Sequence, residues 1–396
     1  SAPSVRHIMA ISGGALVVAA AIVFGSTMTA GSGLSAFLAP SAAAAQAPSA
    51  DLRGVWEGNI GDLPVRACFD RRDWGAFGAY YYLSRRRLIA LEPEEGESGA
   101  FRETDARDPA NPRWTIESAD STGLSARWQG GGRALPVRLR RVAGADGEDG
   151  PCTSPVFHQP RLEGVRTVAS PASIDGMAYT RIALDHGGRF SASFETFALD
   201  GSSEAVRRVN ATLAEPLAGD LPEWFDCVRT ALGHSPYEGD YNDSLAPTLI
   251  SERWLNVAYQ YDNFCGGNHP NHGRLYRVFG LADGEEVDLH DWLDESAVHR
   301  EHLAEVDSDI TKLRPEFRDF ILSGWRADPP ECDDVVRSDE YWNIGLARDG
   351  LIFAPDLPHV AQFCTEEFTI AFERLRPYLS EQGAANVRAL GAEARP

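Results

Sequence analysis

The stretch that decides the fold of the larger part of the chain is residues 254–293, WLNVAYQYDNFCGGNHPNHGRLYRVFGLADGEEVDLHDWL. It begins inside a run at 249–264 whose aromatic and aliphatic residues predict a long strand. A glycine-rich loop follows, and residues 274–281 predict a second strand. Asp283-Gly284 is the dipeptide typical of a tight hairpin turn. The stretch therefore predicts antiparallel strands joined by short connections.

The surrounding sequence adds both helices and strands to this core. A helix is predicted at 202–217 because apolar residues recur at helical spacing after a capping serine. Asp349-Gly350 predicts a second tight hairpin. Further elements are strands at 178–184, 190–197, 286–289, 342–346, 351–353 and 367–372, and helices at 291–310 and 375–379. The predicted fold class of this part is α+β, with helices packed against an antiparallel sheet.

Residues 51–142 differ, because they show only short alternating strands separated by turn residues. This pattern predicts a small antiparallel barrel or sandwich. Three successive tyrosines, Tyr80, Tyr81 and Tyr82, must point to both faces of one strand. At least one of the three is therefore a candidate for an exposed ring that could contact a partner.

These patterns divide the chain into five segments. Residues 1–47 form a signal peptide or N-terminal membrane anchor, and 51–142 form the barrel-like domain. Residues 143–160 are predicted to be a linker, because they are rich in glycine, aspartate and proline. Residues 161–382 form the α+β domain, and 383–396 are predicted to be a flexible tail.

The N-terminal segment has the features of an export signal. Arg6 precedes an apolar run at 8–25, and the sequence Ala45-Gln46-Ala47 fits a cleavage site. The cleavage site lies far beyond the apolar run, so an uncleaved anchor with Arg6 in the cytoplasm is the alternative. Both alternatives place residues 48–396 in the periplasm or outside the cell, with the membrane contacted only through an uncleaved N-terminal segment.

Six cysteines, an even number, indicate disulfides in an exported chain. If pairs stay within domains, Cys68 pairs with Cys152 and three pairings remain for the other four. Of these we favour Cys227–Cys265 with Cys332–Cys364.

The net charge of −21 disfavours binding to nucleic acid, because a strongly acidic surface repels phosphate backbones. The same charge favours a cationic partner. The sequence indicates no cofactor.

Several separated pieces of the chain resemble the RsiV-like extracytoplasmic domain, over about 165–382. They are the Gly266-Gly267-x-His269-Pro270 loop, the Asp283-Gly284 turn, the Leu289-x-Asp291-x-Leu293 close, and the ending at 349–353, 368–372 and 375–379. The resemblance implies an exported α+β domain of unknown function, which is also an accessory module in some peptidoglycan deacetylases and binds lysozyme in one branch. The pattern of 51–142 is similar to lipocalin-like and lysozyme-inhibitor-like barrels.

The loop after Cys265 contains the candidate ligand-binding residues Gly266, Gly267, Asn268, His269, Asn271 and His272. Glycines let a backbone approach a ligand closely. His269 and His272 could ligate one metal ion if the loop curls back, with Asp262 adding a carboxylate. The alternative is a purely structural loop, in which His269 is hydrogen-bonded within a tight connection.

No catalytic residue is predicted. The chain has no G-x-S-x-G elbow, and the order of His299, Glu301 and His302 does not match H-E-x-x-H. These histidines are predicted to lie on a solvated helix face. The sequence therefore favours an exported binding protein whose partner is an envelope protein, such as lysozyme, or a cell-wall glycan. The alternative is a metal-dependent envelope hydrolase centred on His269 and His272.

Overall fold

The computed structural model describes residues 52–104, 112–144, 150–304 and 307–393. All of these described residues belong to one compact unit. The predicted signal peptide or anchor lies outside the described residues. Within the described ranges, no helix is both long and apolar enough to cross a membrane.

The first eight strands form a closed antiparallel barrel in which each strand pairs with the next and β1 pairs with β8. Closure removes the exposed edges that an open sheet would leave. The predicted barrel is thus confirmed over the sandwich. The strands are β1 (Gly54–Ile60), β2 (Leu63–Arg72), β3 (Gly75–Tyr82), β4 (Ile89–Pro93), β5 (Ala100–Thr104), β6 (Arg113–Ala119), β7 (Gly123–Gly130) and β8 (Arg133–Ala143).

The barrel interior is an aromatic core that surrounds one carboxylate. Glu103 on β5 is buried, and its Oε1 accepts hydrogen bonds from the hydroxyl of Tyr80 at 2.6 Å and from the indole nitrogens of Trp114 at 3.0 Å and Trp128 at 2.6 Å. A buried tyrosine or tryptophan needs such a partner for its polar atom. One glutamate thus satisfies three rings on three other strands.

Part of the outer face of strands β1 to β3 is buried as well. Tyr81 points outward, yet it is fully buried, because the segment that contains α1 (Pro155–Leu162) covers it. Its hydroxyl donates to the carbonyl oxygen of Phe157. Tyr80 and Tyr81 are thus both fully buried and Tyr82 is half-buried, so the structure does not provide the exposed tyrosine ring that the sequence suggested.

The segment predicted to be a linker at 143–160 is instead packed structure. Its described residues include Cys152, bonded to Cys68 on β2, and the fully buried side chains of Phe157 and His158. Burial, and secondly the nearby Arg161 guanidinium, hold the pKa of His158 well below its usual range. The neutral ring is positioned between Cys152 O, 2.9 Å from Nε2, and Arg161 Nη1, 3.4 Å from Nδ1.

Arg161 joins the barrel to the rest of the unit. It is fully buried and pairs with Glu238 at 2.7 Å. It also donates to the carbonyl oxygens of Arg86, between β3 and β4, and of Arg189. Its guanidinium lies 4.2 Å from the ring centroid of Phe190. These contacts satisfy a charge that would otherwise be costly to bury.

A six-stranded sheet follows, in the order β14-β13-β12-β11-β10-β9. Only β11 and β12 pair in parallel, and the helices α2 and α3 form the crossover that a parallel pair requires. Both helices bury apolar faces against this sheet. The elements are β9 (Arg166–Ile174), β10 (Met177–Asp185), β11 (Ala192–Leu199), α2 (Glu204–Ala214), α3 (Glu223–Thr230), β12 (Asp240–Ile250), β13 (Trp254–Phe264) and β14 (Asn271–Gly280).

The remaining elements form a two-stranded and a three-stranded sheet around a third core, so the predicted α+β class is confirmed. Strand β17 lies beside the β14 edge, where the Asn343 side chain bonds to both the backbone nitrogen and the carbonyl oxygen of Tyr276. The elements are β15 (Val298–Leu303), β16 (Ser308–Leu313), α4 (Pro315–Ile321), α5 (Cys332–Ser338), β17 (Trp342–Leu346), β18 (Gly350–Pro355), β19 (Phe368–Ala371), α6 (Phe372–Leu375) and α7 (Glu381–Ala392).

Two local predictions differ from this structure. The helix predicted at 291–310 is replaced by a short 3₁₀ helix, Leu289–Trp292, and the hairpin of β15 and β16. The predicted flexible tail begins inside α7, which packs on Trp292 through Gly383 and buries Leu390. In both segments, contacts with distant parts of the chain determine the structure, and the local sequence pattern does not.

The three predicted cysteine pairs, Cys68–Cys152, Cys227–Cys265 and Cys332–Cys364, all lie at disulfide distance and are bonded. No cysteine is left free. Three disulfides are consistent with an exported protein.

Candidate functional site

The glycine-rich loop that the sequence singled out connects β13 to β14. Cys265 stands at its start and is bonded to Cys227 on α3, so the disulfide attaches the loop to the helix behind the sheet. Gly266 and Gly267 have φ angles of +96° and +104°, which side chains with a Cβ rarely adopt. The loop therefore leaves the strand in a conformation that glycine permits and the disulfide fixes.

Asp243 on β12 secures the end of β13 just before the loop. Its carboxylate accepts from the hydroxyl of Tyr259 at 2.6 Å, the backbone nitrogen of Asp262 at 3.1 Å and the side-chain amide of Asn263 at 3.2 Å. Burial raises the pKa of Asp243, although these hydrogen bonds act in the opposite direction. This buried group positions the loop and is itself remote from solvent.

The second part of the site is a 3₁₀ helix, His359–Cys364, which lies against β14. With three residues per turn, its side chains fall into three rows. Ala361 and Cys364 are buried. Val360 and Phe363 form the outward row and are 77% and 64% exposed, the highest values among the exposed large apolar side chains of the described residues.

The third row of this helix faces the loop. The ring of His359 stacks on that of His269, with centroids 5.1 Å apart, and lies edge-on to that of His272 at 6.0 Å. The structure thus brings together two predicted residues with one that the sequence did not indicate. We call the five residues His269, His272, His359, Val360 and Phe363 the loop surface.

The predicted metal ligands are His269, His272 and Asp262. Asp262 is the cross-strand neighbour of His272 and shares its face of the sheet. However, no group of three or more histidine, cysteine, aspartate or glutamate side chains within the described ranges is placed to hold a metal ion.

Acidic side chains border the loop surface. Asp262 is exposed on β13, and Glu366 and Glu367 are exposed two and three residues beyond the 3₁₀ helix. Glu367 lies 3.5 Å from Arg274, and Glu366 accepts from the indole nitrogen of Trp325. An exposed apolar pair with an acidic border is suited to a protein partner that carries positive charge.

His299 and His302, the other histidines singled out from the sequence, lie elsewhere. His299 and His302 are exposed on β15, and His302 Nδ1 lies 2.8 Å from Asp309 across the hairpin. They lie on a strand, so the predicted helix face is wrong. His290 contacts Asp288 at 2.6 Å and the carbonyl oxygen of Trp342 at 3.0 Å. The first contact is local, and the second joins His290 to β17.

The residues that sequence reasoning missed are His359, Val360 and Phe363. The segment 358–364, PHVAQFC, has apolar residues in two of its three rows, so its pattern does not show which row faces solvent. Only the position of Cys364 could have indicated that its own row, which also contains Ala361, is buried. The 3₁₀ helix contacts the loop because the three-stranded sheet lies beside the β14 edge of the six-stranded sheet.

Comparison with known proteins gives distant structural similarity only. No family model and no curated protein matches the chain. A DUF3298 family structure from Bacteroides fragilis NCTC 9343 is similar, with 12% identity and a TM-score of 0.36 over 56% of this chain and 96% of that one. A DUF3298 family structure from Pseudomonas aeruginosa PAO1 is also similar, with 10% identity and a TM-score of 0.33 over 55% and 96%. Similarity at this level carries no functional information.

Proposed function

We propose that this chain is an exported cell-envelope binding protein that recognises a cationic protein through the loop surface. The observation that carries the proposal is the exposure of Val360 and Phe363, side by side on a short helix that packs against the disulfide-anchored loop. Apolar side chains placed together at the surface mark interaction sites more often than scattered ones do.

The charge of the chain selects the kind of partner. Residues 145–396, which include the loop surface, contain 44 acidic and 21 basic residues, whereas 51–144 contain 14 and 15. The acidic excess therefore belongs to the part of the chain that contains the surface. Such a field accelerates association with a basic protein and weakens as salt is added.

Lysozyme is the cationic partner that the RsiV-like resemblance implies, and it is the first partner to test. The periplasm or the cell exterior is the proposed location, since three disulfides favour an oxidising compartment.

The test is a binding measurement between the purified protein and lysozyme at low and high salt. We expect the double variant Val360→Ser, Phe363→Ser to weaken binding at least about tenfold, because it removes the apolar centre of the contact. Both side chains are exposed, so the fold should be retained.

The matched control is Val168→Ser, Met177→Ser. It changes two exposed apolar residues on the hairpin of β9 and β10, which lies at the edge of the six-stranded sheet opposite β14. This variant should bind as the unchanged protein does. The proposal fails if lysozyme does not bind at about 100 µM, or if the two double variants are indistinguishable.

A further inference from the structure

A second cleft, separate from the loop surface, lies on the barrel side of the unit. It has a volume of about 780 Å³ and is lined by Arg53, Arg71, Arg72, Asp73 and Trp74 of the barrel, together with His234. His234 follows the short 3₁₀ helix Ala231–Gly233 after α3. The cleft is thus built from both parts of the chain.

Two of its arginines are fixed by a buried carboxylate. Asp70 has a fully buried side chain that accepts from Arg53 Nε at 2.8 Å and lies 3.5 Å from Arg72 Nη2. Arg72 Nε also donates to the carbonyl oxygen of Gly233 at 2.5 Å. A guanidinium held in this way loses little further freedom when it binds an anion.

The described lining of the cleft contains more arginines than carboxylates. Three arginines and one aspartate, Asp73, belong to the described lining, in a chain of net charge −21. Arg71, at the end of β2, is exposed and available to a ligand. Guanidinium groups pair with carboxylate and phosphate in a planar, bidentate geometry.

Trp74 gives the cleft an aromatic wall. Its ring stacks on Phe77 with centroids 5.2 Å apart and planes 19° apart, while 56% of the residue is exposed. A supported and exposed indole is a platform for the apolar face of a sugar ring, because the contact is broad and costs little side-chain entropy.

We infer that this cleft binds a saccharide that carries a carboxylate or phosphate group, with Trp74 under the ring and Arg71 and Arg72 on the anion. This inference goes beyond the proposed function, because it uses a different surface and a ligand of opposite charge. Val360→Ser, Phe363→Ser should leave this binding unchanged.

The test is an NMR titration of the full protein with four probes: N-acetylmuramic acid, N-acetylglucosamine 6-phosphate, N-acetylglucosamine and inorganic phosphate. We expect the two anionic sugars to bind in the millimolar range or tighter, and the neutral sugar and phosphate alone to bind at least about tenfold more weakly. The two anionic sugars distinguish a carboxylate from a phosphate ligand.

The variants Arg71→Ala and Trp74→Ala should each weaken binding at least about tenfold. Both side chains are exposed, and Arg71→Gln is a milder second change if the first alters the thermal midpoint. Arg127→Ala, an exposed arginine paired with Glu117 on the barrel wall, is the control and should have no effect. No binding of either anionic sugar at about 20 mM, equal binding of phosphate alone, or wild-type affinity in both cleft variants would overturn the inference.

Discussion

Replacing Arg161 with methionine is expected to lower the free energy of unfolding by about 3–5 kcal/mol, because it leaves the largely buried Glu238 carboxylate without its cation. The carbonyl oxygens of Arg86 and Arg189 lose a donor in the same change. The measurement is equilibrium unfolding in urea at neutral pH. A large loss would show that the segment predicted as a linker joins the two parts of the unit.

The control for this prediction is the double variant Arg161→Met, Glu238→Leu. Removing the orphaned carboxylate with its partner should restore part of the stability, since an apolar pair is less costly to bury than one unpaired charge. An Arg161→Met protein within about 1 kcal/mol of the original would contradict the role assigned to Arg161.

Glu103→Leu is expected to cost about 3–5 kcal/mol of stability, because it leaves the polar atoms of Tyr80, Trp114 and Trp128 without their acceptor inside the barrel. Each unpaired buried donor costs about 1–3 kcal/mol, and the leucine recovers only some of this through apolar contact. Urea unfolding followed by tryptophan fluorescence measures the change and reports on these rings directly.

Glu103→Gln is the matched variant, since its side-chain oxygen can still accept while the charge is lost. It should be clearly less damaging than Glu103→Leu. Equal stability of the two variants would mean that the three hydrogen bonds to Glu103 contribute little to the barrel.

The sequence predicted the structure correctly where a local pattern is typical of a single kind of structure. Alternating strands with regular turns predicted the barrel. The assumption that cysteines pair within domains gave Cys68–Cys152 and left three pairings for the other four cysteines, of which the favoured one is observed. The hairpin of β15 and β16 was mistaken for a helix because its polar run, His299 to His302, carries neither a two-residue nor a helical apolar period.

The remaining differences depend on contacts between distant segments. Tyr81 faces away from the barrel core, and only the packing of α1 buries it. Similarly, the loop at 266–272 was recognisable from its glycines, whereas His359 reaches it only because β17 lies beside β14. A local sequence pattern does not show which distant segments will pack together.

We propose that this chain acts outside the cytoplasm as a disulfide-stabilised binding protein. The most direct test is to isolate the protein from its native cells by fractionation, block free thiols at once, and map cysteine-containing peptides without reduction. We expect an envelope or extracellular protein without free thiols, in which Cys68–Cys152, Cys227–Cys265 and Cys332–Cys364 are linked. A cytoplasmic protein with all six thiols reduced would contradict it.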